Sequence, residues 1–232
     1  MRRTRIMAMV LAAACVFAMV GVASASAEPP EFQTQNKKTG EFESLKKPVA
    51  LTETSGSVEV RSASSDLVCK ESTGKGKLTG PKTFTFKTTF TECQDTNLGV
   101  PCQSSKKAGV IKNAMMEGSL VEASAGLGLP SAAAASSPAI TSYTCGTTKF
   151  AVTGLALGTV TPRGVATSEL DVTYAEGAEP EPGCGSQELQ LIDSLGPCVH
   201  LSVQAGSGPA EPAAMVAVYK KHTKTGHVTL MK

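Results

Sequence analysis

Apolar positions recur along this chain at intervals of two, the period of a strand with one buried face, rather than at the three-and-four spacing of a helix. Val58 and Val60 stand two apart, and Lys82 to Cys93 carries Phe84, Phe86 and Phe90 on one parity while threonine and lysine take the other. That run predicts a half-buried strand whose alternate Thr and Lys side chains face water. Val49 to Thr54 and Ser57 to Arg61 flank Ser55-Gly56 and read as a hairpin. Leu67 to Cys69, Lys77 to Thr79, Gly109 to Lys112, Gly118 to Glu122, Ile140 to Cys145, Lys149 to Thr153, Gly164 to Tyr174, Glu188 to Ile192 and Val199 to Gln204 supply further short strands. Ala214 to Lys221 and His227 to Met231 flank a turn ending in Gly226 and predict a closing hairpin. Many short strands with turn residues between them predict an all-β protein, a sandwich of antiparallel strands by preference and an open or closed barrel as the alternative.

The pattern breaks in three places. Residues 1–27 form a basic, then apolar segment: Arg2, Arg3 and Arg5 precede an unbroken apolar run that ends in Ala25-Ser26-Ala27, the arrangement of a cleaved export signal. Glu28, Pro29 and Pro30 follow at once and oppose helix continuation. An uncleaved anchor is the competing reading, since Ile6 to Ala25 meets the rough 20-residue length for a bilayer span. Lipidation at Cys15 fits less well, because the apolar run continues past it through Val16 and Phe17. Residues 28–47 are polar and read as a linker or a peripheral strand, which leaves residues 48–232 as a single β domain. Within it, residues 123–139, rich in Ala, Ser, Gly and Pro, and residues 175–187, with Glu176, Glu179 and Glu181, read as surface loops.

Composition narrows the function classes. Cleavage after Ala27 takes the formal charge from +2 to −1, which is no nucleic-acid footprint. The chain has no Trp, so it lacks the platform most used to stack on sugars or bases. Removal of the leader also removes Cys15 and leaves Cys69, Cys93, Cys102, Cys145, Cys184 and Cys198. An even set outside the cytosol predicts disulfides, and no C-x-x-C spacing points to zinc or redox work. Cys93 and Cys102 bracket a short loop, Cys184 and Cys198 bracket a strand-containing excursion, and Cys69 and Cys145 each end an apolar run. Those three pairs are expected, with Cys69 to Cys93 as the main alternative.

Pro30-Glu31-Phe32, Val68-Cys69, Thr73-Gly74-x-Gly76, Thr79 to Thr83, Phe90-Thr91-x-Cys93, Cys102, Gly109 to Ile111, Gly118-x-Leu120, Cys145 and Thr153 to Leu155 together resemble a recurring type of exported actinobacterial all-β protein. The resemblance covers roughly residues 30 to 170. It implies export, β structure and cysteine pairing, and it carries no activity or site. Residues 28–68 hold no cysteine where relatives often carry two.

Candidate chemistry is sparse. Lys224-Thr225-Gly226 matches a K-T-G box, and Ser44 to Lys47 and Ser104 to Lys107 match S-x-x-K, but S-D-N is absent and neither serine opens a helix. A Ser-His-Asp triad would need His200, His222 or His227, and no G-x-S-x-G elbow occurs. His222 and His227 are placed to meet across the terminal hairpin, yet two imidazoles make a poor zinc site. The acidic loop lacks the alternating Asp/Asn of a calcium loop. Gly74-x-Gly76, Gly126-x-Gly128, Gly183-x-Gly185 and Gly206-x-Gly208 fit no phosphate-binding pattern and read as turns. The resulting expectation is a secreted or cell-envelope binding protein without catalytic, metal or cofactor residues, whose partner is an envelope component or glycan. A hydrolase with dispersed residues and a barrel holding a small apolar ligand are the alternatives.

Overall fold

The computed structural model describes residues 30–36, 38–123, 126–133, 136–137, 139–175, 201–224 and 226–231. Residues 1–27, read above as an export signal, Cys184, Cys198, His200, residues 176–187 of the acidic loop and the strand expected at Glu188 to Ile192 lie outside the described residues. Among those described, every regular element is a strand. In chain order they are β1 (Glu31–Gln35), β2 (Phe42–Ser44), β3 (Val49–Ser62), β4 (Asp66–Leu78), β5 (Thr83–Asp95), β6 (Val100–Gln103), β7 (Ile111–Lys112) and β8 (Met116–Ser119). They continue as β9 (Val121–Ala123), β10 (Gly126–Ala133), β11 (Thr141–Cys145), β12 (Thr148–Thr161), β13 (Glu169–Tyr174), β14 (Leu201–Ala205), β15 (Ala210–Thr223) and β16 (Val228–Met231).

The expected all-β, antiparallel architecture is what forms, and its main ladder closes on itself in a ring. From β4 the hydrogen-bonded order runs through β3, β15, β13, β12, β11, β6 and β5, and β5 pairs with β4 again. A second path joins β12 to β5 through β10 and β8, and β14 bridges β12 and β15. The inward face buries Val58, Val152, Val160, Val172, Leu201 and Val203. A separate sheet of β16, β1 and β2 adds Phe32, which is fully buried beside Leu51, Leu78, Phe84 and Leu170.

Several local expectations change. Ser55-Gly56 does not turn the chain: β3 runs through it, with Ser55 opposite Ser72 and Val58 opposite Cys69. Turn-type residues at that point instead accommodate a one-residue shift against β15, between Ala217 and Tyr219. The buried positions of β3 change parity there, from Val49, Leu51 and Glu53 to Val58 and Val60, and β4 and β5 change parity at the same level. The run expected as two strands at Leu67 to Cys69 and Lys77 to Thr79 is one strand, β4, and Gly74 and Gly76 lie inside it rather than in a turn. Gly126 and Gly128 lie in β10, so residues 126–133 are not loop: they pair with β12 from Gly128↔Thr159 to Ala132↔Leu155. Within residues 28–47, read as a linker or a peripheral strand, β1 and β2 form, and Phe32 of β1 is part of the core. Nor do β15 and β16 form a hairpin. Gly226 turns the chain at φ +79°, but β16 pairs with β1, where Val228 and Leu230 are buried in the same cluster as Phe32.

The ring's most consequential interior feature is a row of residues in register across four strands. Lys221 of β15 stands opposite Glu53 of β3, Glu53 opposite Gly74 of β4, and Gly74 opposite Thr88 of β5. All three side chains are buried, at 5%, 3% and 1% exposure. Lys221 Nζ donates to one oxygen of Glu53, and the Thr88 hydroxyl donates to the other. Gly74 makes this possible, because a Cβ there would overlap the Glu53 side chain. Lys221 Nζ also lies 4.0 Å from the centre of the Phe86 ring, on its electron-rich face. Asn113 continues the row, its Oδ1 accepting the Thr88 N–H at 2.6 Å.

Two disulfides join described residues: Cys69–Cys93 between β4 and β5, and Cys102–Cys145 between β6 and β11. Each joins residues directly opposite in register. The expected pairs Cys93–Cys102 and Cys69–Cys145 are thereby corrected, and the alternative Cys69–Cys93 is the one formed. The reason is that four cysteines form one row across β4, β5, β6 and β11. The β5–β6 register, Gln94 opposite Pro101, brings Cys102 up beside Cys93. A Cys93–Cys102 bond would leave Cys69 and Cys145 three strand spacings apart, about 14 Å, far beyond disulfide reach. Pairing the outer members inward uses all four.

Non-reducing peptide mapping should recover Cys69 with Cys93 and Cys102 with Cys145, and replacing either pair by alanine should cost about 2–4 kcal/mol of stability. Recovery of a Cys93–Cys102 peptide would refute the register. For the buried row, Glu53→Leu alone should cost about 3–5 kcal/mol, since it strands the Lys221 charge. Adding Lys221→Leu should restore most of that loss, and a double-mutant cycle in urea reads the coupling. Additive losses would show that the pair does not interact.

Candidate functional site

Strand alternation that buries one parity presents the other to solvent, and on β6, β11, β12 and β14 the outward parity is mostly polar, with Pro101 and Ala151 as apolar members. Tyr143 and Cys145 point inward from β11 while Ser142 and Thr144 do not; Phe150 and Val152 point inward from β12 while Lys149 and Ala151 do not. Register then gathers the outward set. Thr144 faces Gln103 on one side and Lys149 on the other, Ser142 faces Ala151, and Ala151 faces Gln204 of β14. The small side chain of Ala151 keeps the middle of this surface low, and Gly206, which donates its N–H to Lys149 O at 2.7 Å, closes the far side. With Ser104 and Ser105 at the near side the result is a groove of about 490 Å³.

Its chemistry is that of neutral donors and acceptors with one cation, Lys149, and no carboxylate among the described residues that line it. Gln204 Nε2 donates to Gly208 O at 2.8 Å, and Ser104 Oγ accepts the Lys112 N–H at 2.8 Å. Gln103, Ser142, Thr144 and Lys149 make no side-chain hydrogen bond to another described residue. Beneath them Tyr143 stacks on Phe150, ring centres 5.3 Å apart. Burial, aided by the nearby Asp95 charge, pushes the Tyr143 phenol up to about 12. Asp95 is itself fully buried, accepting from Ser65 Oγ at 2.7 Å and from the N–H groups of Asn97 and Leu98.

The ring interior offers a second space, a cavity of about 60 Å³ lined by Phe86, Ile111, Met116, Val152, Tyr219 and Lys221 among others. Burial first, and then the Glu53 charge, raise the Tyr219 phenol well above its ordinary range, so it stays neutral beside this cavity.

Among the described residues, those singled out from sequence are not assembled into a centre. Ser44 lies in β2, its hydroxyl donating to Glu31 at 2.7 Å, and Ser104 lines the groove. Lys224 is exposed, with its N–H on Ala50 O at 3.1 Å, and Thr225 lies outside the described residues. His222 Nδ1 lies 3.2 Å from the Glu169 carboxylate, while His227 is exposed and belongs to no described pair. Among the described residues no three His, Cys, Asp or Glu side chains converge as a metal site. Of the glycine pairs, Gly206-x-Gly208 is in a turn, with the Gly208 N–H on Ala205 O at 2.9 Å, and Gly183-x-Gly185 lies outside the described residues. Sequence reasoning missed the groove, whose signal was the polar outward parity of β11 and β12. It also missed the Glu53–Lys221 pair, whose signal was an acid on the buried parity of β3.

No family model, curated protein or solved structure matches this chain.

Because the folded protein holds the Tyr143 phenol at about 12 against roughly 10 when unfolded, the neutral form is favoured in the fold. The associated stability is fully present below about pH 10 and is lost as pH rises toward 12, by about 3 kcal/mol in all. Tyr143→Phe should flatten this loss, read as urea midpoints between about pH 9 and 11.5. Parallel loss in both proteins would remove Tyr143 as its source.

Proposed function

We propose that this chain is an exported, non-enzymatic binding protein of the cell envelope or extracellular space, and that the groove over β6, β11, β12 and β14 takes a neutral glycan. One observation carries the reading: hydrogen-bonding side chains without partners among the described residues converge there on a volume of about 490 Å³. That falls within the range of about 300–1,000 Å³ usual for ligand sites. A single lysine and no carboxylate among the described lining residues suit hydroxyl-rich, uncharged ligands rather than an ion. Tyr143 and Phe150 lie under the strand surface, so recognition rests on hydrogen bonds rather than ring stacking.

Export is supported by the leader-like first 27 residues and by two disulfides, which are consistent with an oxidising compartment. The interior cavity is the observation behind the apolar-ligand alternative. At about 60 Å³ it is several-fold smaller than a usual ligand site, so the groove is favoured over it. The hydrolase alternative gains little from the described residues, because the His222–Glu169 pair makes no described hydrogen bond to a serine hydroxyl.

Soluble neutral oligosaccharides, titrated calorimetrically, should bind saturably with little salt dependence. Ser142→Ala with Thr144→Val removes two hydroxyls at about 0.5–1.5 kcal/mol each and should weaken binding about tenfold without lowering the melting midpoint. Failure of every neutral glycan, or binding unchanged in the double variant, would overturn the assignment.

A further inference from the structure

The outward faces of β3, β4 and β5, between the turn at residues 79–82 and the level where the buried parity changes, carry only small, hydroxyl and cationic side chains. Thr54 and Thr73 alternate here with an array of lysines. Lys75 stands directly opposite Lys87 across the β4–β5 ladder, and Lys77 is two residues from Lys75 on the same face. All three are exposed, and none makes an ion pair with a described residue. At strand spacings of about 4.8 Å across and about 6.8 Å along, their stems form a triangle with sides of roughly 5, 7 and 8 Å. Lys112, opposite Thr89, extends the array at one edge, and Lys224, whose N–H bonds Ala50 O, extends it at the other. The acids near the face are Glu169, which holds Lys220 at 3.1 Å and His222 at 3.2 Å, Asp171, opposite Lys220, Glu117, opposite Thr85, and Glu71, which ends the outward row of β4 beyond Thr73.

A like-charge pair directly opposite in an antiparallel ladder destabilises it, so Lys75 and Lys87 oppose the fold they sit on. And beyond the parity change the same strands keep their cations paired, Lys70 with Glu92 at 2.7 Å and Arg61 with Glu59. Within β3, β4 and β5, the lysines without an ion pair to a described residue all lie on one half of the outward face.

We propose that this face binds a linear, phosphate-bearing glycopolymer, through Lys75, Lys77 and Lys87 with Lys112 and Lys224 at its margins. Lysine is a point-charge phosphate ligand that needs no fixed approach angle, which suits a polymer with rotating linkages. No aromatic side chain faces outward between the lysines to stack a base, which separates the site from a nucleic-acid surface. No large apolar side chain does so either, which separates it from a membrane-inserting one. The site is distinct from the neutral groove, which lies on other strands.

Poly(glycerol phosphate) is the probe, with the mature secreted chain held at its native disulfide state and binding read by calorimetry from about 20 to 200 mM salt. Affinity should fall steeply with salt, with a log–log slope near −3, reflecting about three to five phosphate contacts. Lys75→Gln/Lys77→Gln/Lys87→Gln should weaken binding at least tenfold and flatten that slope, while its melting midpoint stays level or rises as the repulsion is relieved. Ser142→Ala/Thr144→Val should leave polymer binding unchanged, so failure of the groove reading and failure of this one are told apart. Three results would each overturn the proposal: wild-type affinity in the triple glutamine variant, equal affinity for single-stranded DNA of matched charge, or tighter binding to anionic lipid vesicles than to the polymer.

Discussion

Closure of the ring depends on the register in which β15, β3, β4 and β5 meet, and the buried carboxylate of Glu53 is what makes that register specific. Removing a carboxylate and an ammonium from water costs several kcal/mol per ion, and their attraction offsets this only when geometry and extra hydrogen bonds are favourable. Here both carboxylate oxygens are used, one by Lys221 and one by Thr88, and the ammonium rests on the Phe86 ring. A slip of one residue along any of these ladders would send Glu53 or Lys221 to the opposite face and leave its partner buried and unpaired. An apolar pair would not impose that penalty. Gly74 is the enabling position, since Glu53 reaches across it to a strand two places away.

At the other end of the same strands the covalent constraint takes over. Cys69–Cys93 ties β4 to β5 beyond the parity change, so the ladder that closes the ring is held by an ion pair and hydroxyl at one level and by a disulfide at the other. Cys102–Cys145 fastens the neighbouring β6 to β11, which carry the groove. The short hairpin between β5 and β6 is organised by buried Asp95, whose carboxylate accepts two turn N–H groups. The floor of the groove is therefore backed by a disulfide, a capped turn and the Tyr143–Phe150 stack. A surface so supported presents Ser142, Thr144 and Gln103 with little conformational freedom left to lose on binding.

Division of the outer surface follows from the same alternation. Where the outward parity is Ser, Thr and Gln, the face is neutral and concave; where it is Thr and Lys, it is cationic and follows the long strands. The interior cavity is small, and Glu53, Lys221 and Thr88 are engaged with one another there. On the proposed reading, binding is a property of outward strand faces, while the inward ones hold the ring.

What the sequence determined by itself is the local part. The two-residue period marked strands, and it assigned Phe84 and Phe86 to the core and Lys87 to solvent, because side-chain direction in a strand depends only on position along it. The even number of cysteines after residue 27 predicted disulfides, and two form among the described residues. Which strands meet was not legible, because the backbone hydrogen bonds of one ladder resemble those of any other and partner choice is made by burial over the whole molecule. Hence Ser55-Gly56 looked like a turn and is strand, residues 126–133 looked like loop and are strand, and Cys93 looked nearest to Cys102 but pairs with Cys69. Glu53 and Lys221, 168 residues apart, become an ion pair only when the ring closes. The lysine array was half visible, as alternate Lys and Thr along β5, but its meaning appeared only when pairing set Lys75 opposite Lys87.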